Sequence, residues 1–266
     1  MTTAAPLPGL SVLRGGGDLA TGVAWRLTRA GWPIIACELP RPLTVRRTVA
    51  VSSAVLDDEI DVEGMRAVLA VDADEAIALA ATGVVAVLVS PELPTLGADV
   101  VIDARLAKRN IDTSIDDAPL VIGLGPGFVA GLDCHAVVET QRGPHLGRVL
   151  WSGSAAANTG TPGMVGGRGP ERVLRAPIDG TVEWDVAIGD LVEEGQPLGR
   201  VGDVSIDAPF AGMVRGLISE RVPPTAGLKI GDVDPRCERS ACDEISDKAL
   251  AIGGGVVEAV LTWSNR

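Results

Sequence analysis

Tyrosine is absent from these 266 residues and phenylalanine occurs only twice. That excludes a stacking platform for single-stranded nucleic acid, which needs aromatic faces for the bases. Basic residues are also scarce: 23 Lys and Arg face 35 Asp and Glu, for a net charge of −12. Non-specific binding to DNA or RNA depends on cations at the phosphates, so no nucleic-acid partner is expected. Cysteine is limited to Cys37, Cys134, Cys237 and Cys242. These are too few for a disulfide framework and fit a reduced, cytoplasmic setting. The longest apolar run, Ala76 to Val89, is broken by Thr82 and Gly83, so no membrane-spanning segment is expected. Met1 to Leu10 lacks a basic region and does not read as a signal peptide. No G-x-S-x-G, Walker A or kinase signature occurs either.

What the chain does have is glycine, in patterned places. Ala176-Pro177-Ile178-Asp179-Gly180-Thr181-Val182 returns 32 residues later as Ala208-Pro209-Phe210-Ala211-Gly212-Met213-Val214. Each copy is followed by alternating apolar residues between Gly turns, a strand pattern. A self-similar pair predicts two halves of one β-unit. The pattern resembles the barrel-sandwich hybrid of biotinyl and lipoyl domains, which carry their cofactor on a lysine in the hairpin between the halves. Here that hairpin, Gly199 to Ile206, contains no lysine, so neither biotin nor lipoate is expected.

The amino-terminal half reads differently. Ser11 to Arg14 is a predicted strand, Leu19 to Ala30 a helix and Pro33 to Cys37 a second strand, a βαβ unit that calls for a parallel sheet. Further strands are predicted at Val84 to Val89, Val100 to Ile102, Leu120 to Ile122 and Ala136 to Glu139. Gly64 to Leu69 and Asp74 to Ala81 read as short helices, and Thr44 to Leu56 as a segment crossing the surface. Ile245 to Leu261 has helical character around Gly253. The expected fold is α/β followed by β. Residues 1–150 form a Rossmann-like domain, 151–170 a Gly/Ser/Pro linker and 171–236 a barrel-sandwich hybrid that is lysine-free in its carrier hairpin, with 237–266 packing back on the first domain.

Two Gly-rich turns are candidate sites. Gly15-x-Gly17-x-x-Ala20, with Glu38 after the second strand, fits the dinucleotide fingerprint. Glycines there let the backbone approach a pyrophosphate at a helix start. Asp18 stands on that same helix start, where it caps free N–H groups, holds a bridging cation or orients Arg14. A bound phosphoryl ligand and plain sheet packing both remain open. Gly123-Leu124-Gly125-Pro126-Gly127 follows another strand and reads as an anion nest or a tight turn. Arg46, Arg47, Arg105, Lys108 and Arg109 are cations for an anionic ligand, or solvated surface. His135 lies beside Cys134, with Glu139 and His145 further on; these are too few for a metal site, and none is assigned. His135 reads instead as a hydrogen-bonding or proton-transferring residue of the pocket. Cys237 and Cys242 match neither thioredoxin nor zinc spacing and read as unlinked thiols.

Together these segments resemble a family. Arg14 to Ala24 (RGGGDLATGVA), Pro42 to Val49 and Asp103-Ala104-Arg105-x-x-Lys108-x-Asn110 are similar to motifs of the YqeB-type proteins of selenium-dependent molybdenum hydroxylase systems. So are Ala118 to Phe128, His135-Ala136-Val137, Leu228 to Arg236 and Ile245 to Gly255. The resemblance implies an accessory protein for maturation or insertion of the molybdenum cofactor, alongside XdhC-like chaperones. The expected ligand is molybdopterin or its nucleotide form, and the expected partners are a hydroxylase subunit or other maturation factors, with self-association left open. An NAD(P)-dependent oxidoreductase and a ligand-free docking scaffold are the alternatives, and no catalytic residue is assigned.

Overall fold

The structure is a computed structural model and describes residues 9–161 and 163–265. The stretch Met1 to Leu10 therefore lies outside the described residues except for its last two, and Pro162 of the predicted linker is likewise outside.

Strand β1 (Ser11–Arg14) turns at glycines into helix α1 (Asp18–Arg29), which leads to β2 (Ile34–Glu38). Gly17 is extended at the helix start, and Gly31, with φ 87°, follows the helix end. The buried side chains Leu19, Ala20, Val23, Ala24 and Leu27 recur at helical spacing and face the sheet. After the short helix α2 (Ala54–Asp57) come β3 (Glu59–Val62), β4 (Met65–Ala70), α3 (Ala73–Ala81) and β5 (Val85–Val89). Then follow β6 (Val100–Asp103), β7 (Leu120–Leu124), β8 (Ala136–Val138) and β9 (Val149–Leu150).

Among the described residues these strands form a nine-stranded mixed sheet in the order β3-β4-β5-β2-β1-β6-β7-β8-β9. Neighbours from β4 through β8 are parallel, and the edge pairs β3·β4 and β8·β9 are antiparallel. Strands such as Val100-Val101-Ile102 are apolar throughout because both sheet faces are covered.

Two sequence expectations are corrected here. Gly64 to Leu69 is not a helix: Glu63 and Gly64, at φ 50° and 77°, make a tight turn that pairs β4 with β3. Thr44 to Leu56 does not cross the surface, since Val45, Arg46 and Val49 to Ala54 are buried. The segment coils through two 3₁₀ turns, Arg47–Val49 and Val51–Ser53, against the start of α1. Ser52 N–H donates to the Gly16 carbonyl and Val51 N–H to Thr21 Oγ1, which satisfies a backbone that solvent cannot reach.

The carboxyl-terminal half contributes β10 (Val173–Arg175), β11 (Val182–Trp184), β12 (Leu191–Val192), β13 (Pro197–Val201), β14 (Val204–Asp207), β15 (Gly212–Leu217) and β16 (Lys229–Asp234). They form two antiparallel sheets, β10-β16-β15-β12 and β11-β13-β14, around a core of their own that includes Val182, Leu198, Phe210, Val214 and Ile230. The repeated phrase is also repeated in its bonding. Ala176 N–H donates to Leu228 O and its carbonyl accepts from Gly227; Ala208 N–H donates to Gln196 O and its carbonyl accepts from Gly195. These partners stand at the same sequence offset as the two phrases, so each half holds the other.

After the short helix α4 (Ser240–Asp243), α5 (Asp247–Ser264) returns to the large sheet and lies on α1. Ile252, Val256 and Val260 join Leu13, Val23 and Ile122 in one core. A Cβ at Gly22 would come within 2.5 Å of the Ala249 backbone, and one at Gly253 within 2.4 Å of Gly22 O, so glycine permits the close approach of the two helices. Among the described residues no helix is long and apolar enough to cross a membrane.

A candidate ligand cleft at the sheet's switch point

From β1 the chain proceeds to β2 on one side, and from β6 to β7 on the other. Such a reversal opens a crevice at the carboxyl ends of the two central strands. In this protein the crevice lies between Arg14-Gly15 and Ala104-Arg105, and a cavity of about 750 Å³ occupies it. Gly15, at φ 100°, sits where a Cβ would press on the Ala104 carbonyl at 3.2 Å, so glycine lets the two strand ends meet. Leu39, Leu43, Leu106 and Ile111 give the chamber an apolar wall, and Lys229 of β16 reaches it from the second half of the molecule.

The first cations of the site are occupied. Buried Arg14 donates from Nη1 to Thr113 Oγ1 at 3.0 Å and from Nη2 to Asp112 Oδ2 at 2.9 Å. Arg105 holds Asp103 and also reaches Asp112 at 2.8 Å. Asp112, bonded by Arg14 and then Arg105, is pushed below the usual carboxylate range. This network folds residues 105–113 over the strand ends and offsets the charge that Arg14 and Arg105 bring. Asp18 is not paired with Arg14: Arg46 Nη1 stands 3.1 Å from its carboxylate. Arg46 also donates from Nη2 to the carbonyls of Ala241 and Glu244, while its buried Nε has no partner.

Glu38 fills a role that the fingerprint reading gave to a ligand. Its Oε2 accepts the Gly16 N–H at 2.8 Å and its Oε1 the Leu39 N–H at 2.7 Å. Burial raises its pKa, opposed by these two donors. One loop donor available to a pyrophosphate is thus taken, and a ribose would meet a carboxylate already in use.

A second chamber of about 490 Å³ shares Asp18, Leu19, Arg46, Leu106 and Lys229 with the first. Seven cationic side chains line it against three carboxylates, a positive pocket in a chain of net charge −12. Two of the carboxylates are held by other groups. Glu139 accepts the N–H groups of Gln141 and Ala156, both at 2.7 Å. Asp232 accepts from Arg172 Nη1 at 2.8 Å and faces Arg215 at 3.6 Å. Lys229 and Lys248 are half-buried and have no hydrogen-bond or ion-pair partner among the described residues. Desolvation lowers the pKa of both.

Other predicted residues lie elsewhere. Arg47 donates to Leu217 O at 2.8 Å and lines a separate cavity with Asp57 and Glu220. The second Gly loop forms no open nest: Gly125 N–H donates to Val138 O, and only Pro126 of the loop borders the second chamber. Close approach explains its glycines, since a Cβ at Gly123 would meet the Phe128 ring at 2.5 Å and one at Gly127 the Arg109 backbone at 2.5 Å. His135 accepts the Val121 N–H at Nδ1, packs edge-on to Trp263 at 4.7 Å and lines a groove with Asp116, away from the cleft. Burial lowers its pKa, with Asp116 opposing. Lys108 lies exposed at the rim of the second chamber. Cys37 is buried and its thiol pushed up to about 12, chiefly by desolvation; Cys237 is exposed, Cys242 is buried, and both are free thiols.

The sequence reading missed Lys229, Lys248, Arg172 and Arg215. A signal for the lysines was present: the chain has 20 arginines and three lysines, and all three lysines line this chamber.

Comparison with known proteins finds no matching family model. The chain is similar to YqeB. It is 49% identical over 255 residues, 95% of its length, to the uncharacterized protein YqeB of Escherichia coli K12. The chain spans about half of YqeB, 47% of that protein's length. The likeness to YqeB extends over both halves of the molecule.

Proposed function

We propose that the protein is a cytoplasmic accessory factor for maturation or insertion of the molybdenum cofactor into a molybdenum hydroxylase. In this reading it binds a phosphate-bearing ligand, molybdopterin or its nucleotide form, in the cleft between its halves. The observation that carries the reading is the placement of that cleft. It opens at the switch point of a parallel sheet, beside the start of α1, and positive side chains from distant parts of the chain converge there. The similarity to YqeB, an uncharacterized protein, adds a relative but no activity.

The donor set suits such a ligand. The apolar wall of the first chamber offers a surface to a planar ring system, while the lysines offer charge and donors to phosphate. We read the large sheet as Rossmann-like, because β5-β2-β1-β6-β7-β8 follows the strand order of doubly wound dinucleotide-binding sheets. We read the two small sheets as a barrel-sandwich hybrid, lysine-free in its carrier hairpin, that closes over the cleft and docks a hydroxylase subunit. The engagement of Glu38 by the backbone disfavours NAD(P) as the ligand.

Calorimetric titration with molybdopterin cytosine dinucleotide tests the reading against NADPH. The expected result is binding of the pterin nucleotide, absence of NADPH binding and weakened binding by Leu43→Glu, which places a carboxylate on the exposed apolar wall. Failure of the pterin nucleotide to bind the wild-type protein would overturn it. Gly125→Val is unsuited to this purpose: Gly125 has φ 76°, and a Cβ would strike Thr140 Oγ1 at 2.4 Å, so the change reports on folding.

A further inference from the structure

We propose that the second chamber is a diphosphate-binding site in which Lys229 and Lys248 are the direct ligands, with Lys108 at its rim. This rests on the reading of the cleft as a ligand site and states which part of the ligand goes where. The phosphate chain enters the lysine chamber, and the organic body lies against the apolar wall of the first.

The distribution of cation types is the first argument. Arginines outnumber lysines 20 to three, and buried or half-buried arginines serve as structural ties: Arg14 to Asp112, Arg105 to Asp103, Arg172 to Asp232. The planar fork of arginine suits such fixed pairing with carboxylates, whereas lysine is a compact charge with rotatable donors. This chain places every lysine it has at one cavity. The second argument is that these ammonium groups answer no internal demand. Asp232 is already held by Arg172 and Arg215, and Asp18 by Arg46. Lys229 and Lys248 are partly desolvated with nothing paired to them, an arrangement that costs stability and that a bound anion relieves. Third, Arg46 and Arg172 line the same chamber, are 5% and 6% exposed, and each has a buried Nε without a partner. Fourth, the chamber's positive excess is several units, more than a carboxylate or a single phosphate neutralises, while its volume of about 490 Å³ is too small for a polymer.

Titration calorimetry with inorganic pyrophosphate, at fixed ionic strength, tests the proposal on the full chain. Pyrophosphate is expected to bind more tightly than orthophosphate. Lys229→Gln and Lys248→Gln are each expected to weaken it about tenfold or more, the ordinary worth of a charged hydrogen bond. Arg200→Gln, at an exposed side chain of β13 that pairs with Glu183 and lines neither chamber, is expected to bind as wild type. A second measurement needs no variant. Pyridoxal phosphate followed by borohydride labels amines at phosphate sites, and peptide mapping is expected to show Lys229 and Lys248 labelled and protected by pyrophosphate. Absence of pyrophosphate binding, wild-type affinity in both lysine variants, or labelling without protection would each overturn the proposal. If the pterin nucleotide still bound equally to both variants, the function proposed above would stand while this site fell. If pyrophosphate bound through both lysines and the pterin nucleotide did not bind at all, the site would stand and that function would fall.

Discussion

Lys229 carries a charge that no side chain pairs with directly, and this has a consequence for stability apart from any ligand. Its pKa is lowered from the ordinary 10.5, first by desolvation, with Asp232 and Asp18 opposing and Arg172 and Arg215 adding to the fall. A folded-state value below the unfolded one means that the unfolded chain binds more protons between the two. The penalty of burying the ammonium is therefore full at neutral pH, and stability rises as pH climbs through the lowered value toward 10.5. Lys229→Met keeps the apolar stem and removes the charge. The variant should be more stable than wild type by about 0.5–2 kcal/mol at neutral pH, and the gain should shrink in alkaline buffer. Urea denaturation at about pH 7 and about pH 9.5 measures both, and a variant less stable than wild type at neutral pH would count against an unpaired ammonium. At this scale the sequence was readable only where a motif concentrates its residues. Gly15, Gly17 and Asp18 were visible as a helix start because they are contiguous. Lys108 was read as a cation beside Arg105, but Lys229 and Lys248 were not, because distant segments bring the three lysines together and their local spacing carries no signal. Arg47 was taken with Arg46 as a pair, yet the two flank the start of a 3₁₀ turn and point apart, and only Arg46 faces the cleft.

Helices α1 and α5 give the clearest test at the level of elements, because glycines one residue apart in α5 have opposite surroundings. Glycine is a poor helix former, by about 1 kcal/mol relative to alanine. Gly254 is exposed with nothing within 4 Å of a Cβ, so Gly254→Ala should stabilise the protein by about 0.5–1 kcal/mol. Gly253 is buried with Gly22 O at 2.4 Å from a Cβ, so Gly253→Ala should destabilise it by about 1–3 kcal/mol despite the better propensity. Thermal denaturation of the two variants should move in opposite directions; equal shifts would show that the helices are not in close contact. The same comparison explains which elements the sequence disclosed. Apolar strands such as β5, β6 and β7 stood out because burial on both faces leaves an uninterrupted run. β4 did not, because its turn is Glu63-Gly64 rather than a familiar Asn-Gly, and its alternation Met65, Ala67 is short. The buried segment from Thr44 to Leu56 has no period at all. Its order comes from bonds to α1, which only the tertiary structure supplies.

Across the whole molecule, the chain builds the large sheet, leaves it for the two small sheets and returns with α5, so the large unit is closed only by its last helix. Ala249, Ile252, Val256, Ala259 and Val260 are all at most 2% exposed, in one core with Leu13, Val23, Leu27 and Ile122. Burial of a Val or Ile side chain contributes about 1.5–3 kcal/mol, so the face of α5 is comparable with the entire stability of an ordinary domain, about 5–15 kcal/mol. Polar ties reinforce it: Arg142 pairs with Asp247 at 2.6 Å, and Arg46 holds the carbonyls of Ala241 and Glu244, so the same arginine that faces Asp18 also anchors the returning segment. Cleft and closure are therefore mechanically joined. Deleting residues 237–266 should expose the apolar face of α1 and remove the anchor of Arg46 together. The truncated chain is expected in the insoluble fraction, or soluble with strong binding of an apolar dye and no cooperative thermal transition. A soluble 1–236 chain with a sharp transition would instead make α5 an appendage, and the packing of its glycines against α1 would then be dispensable to the sheet.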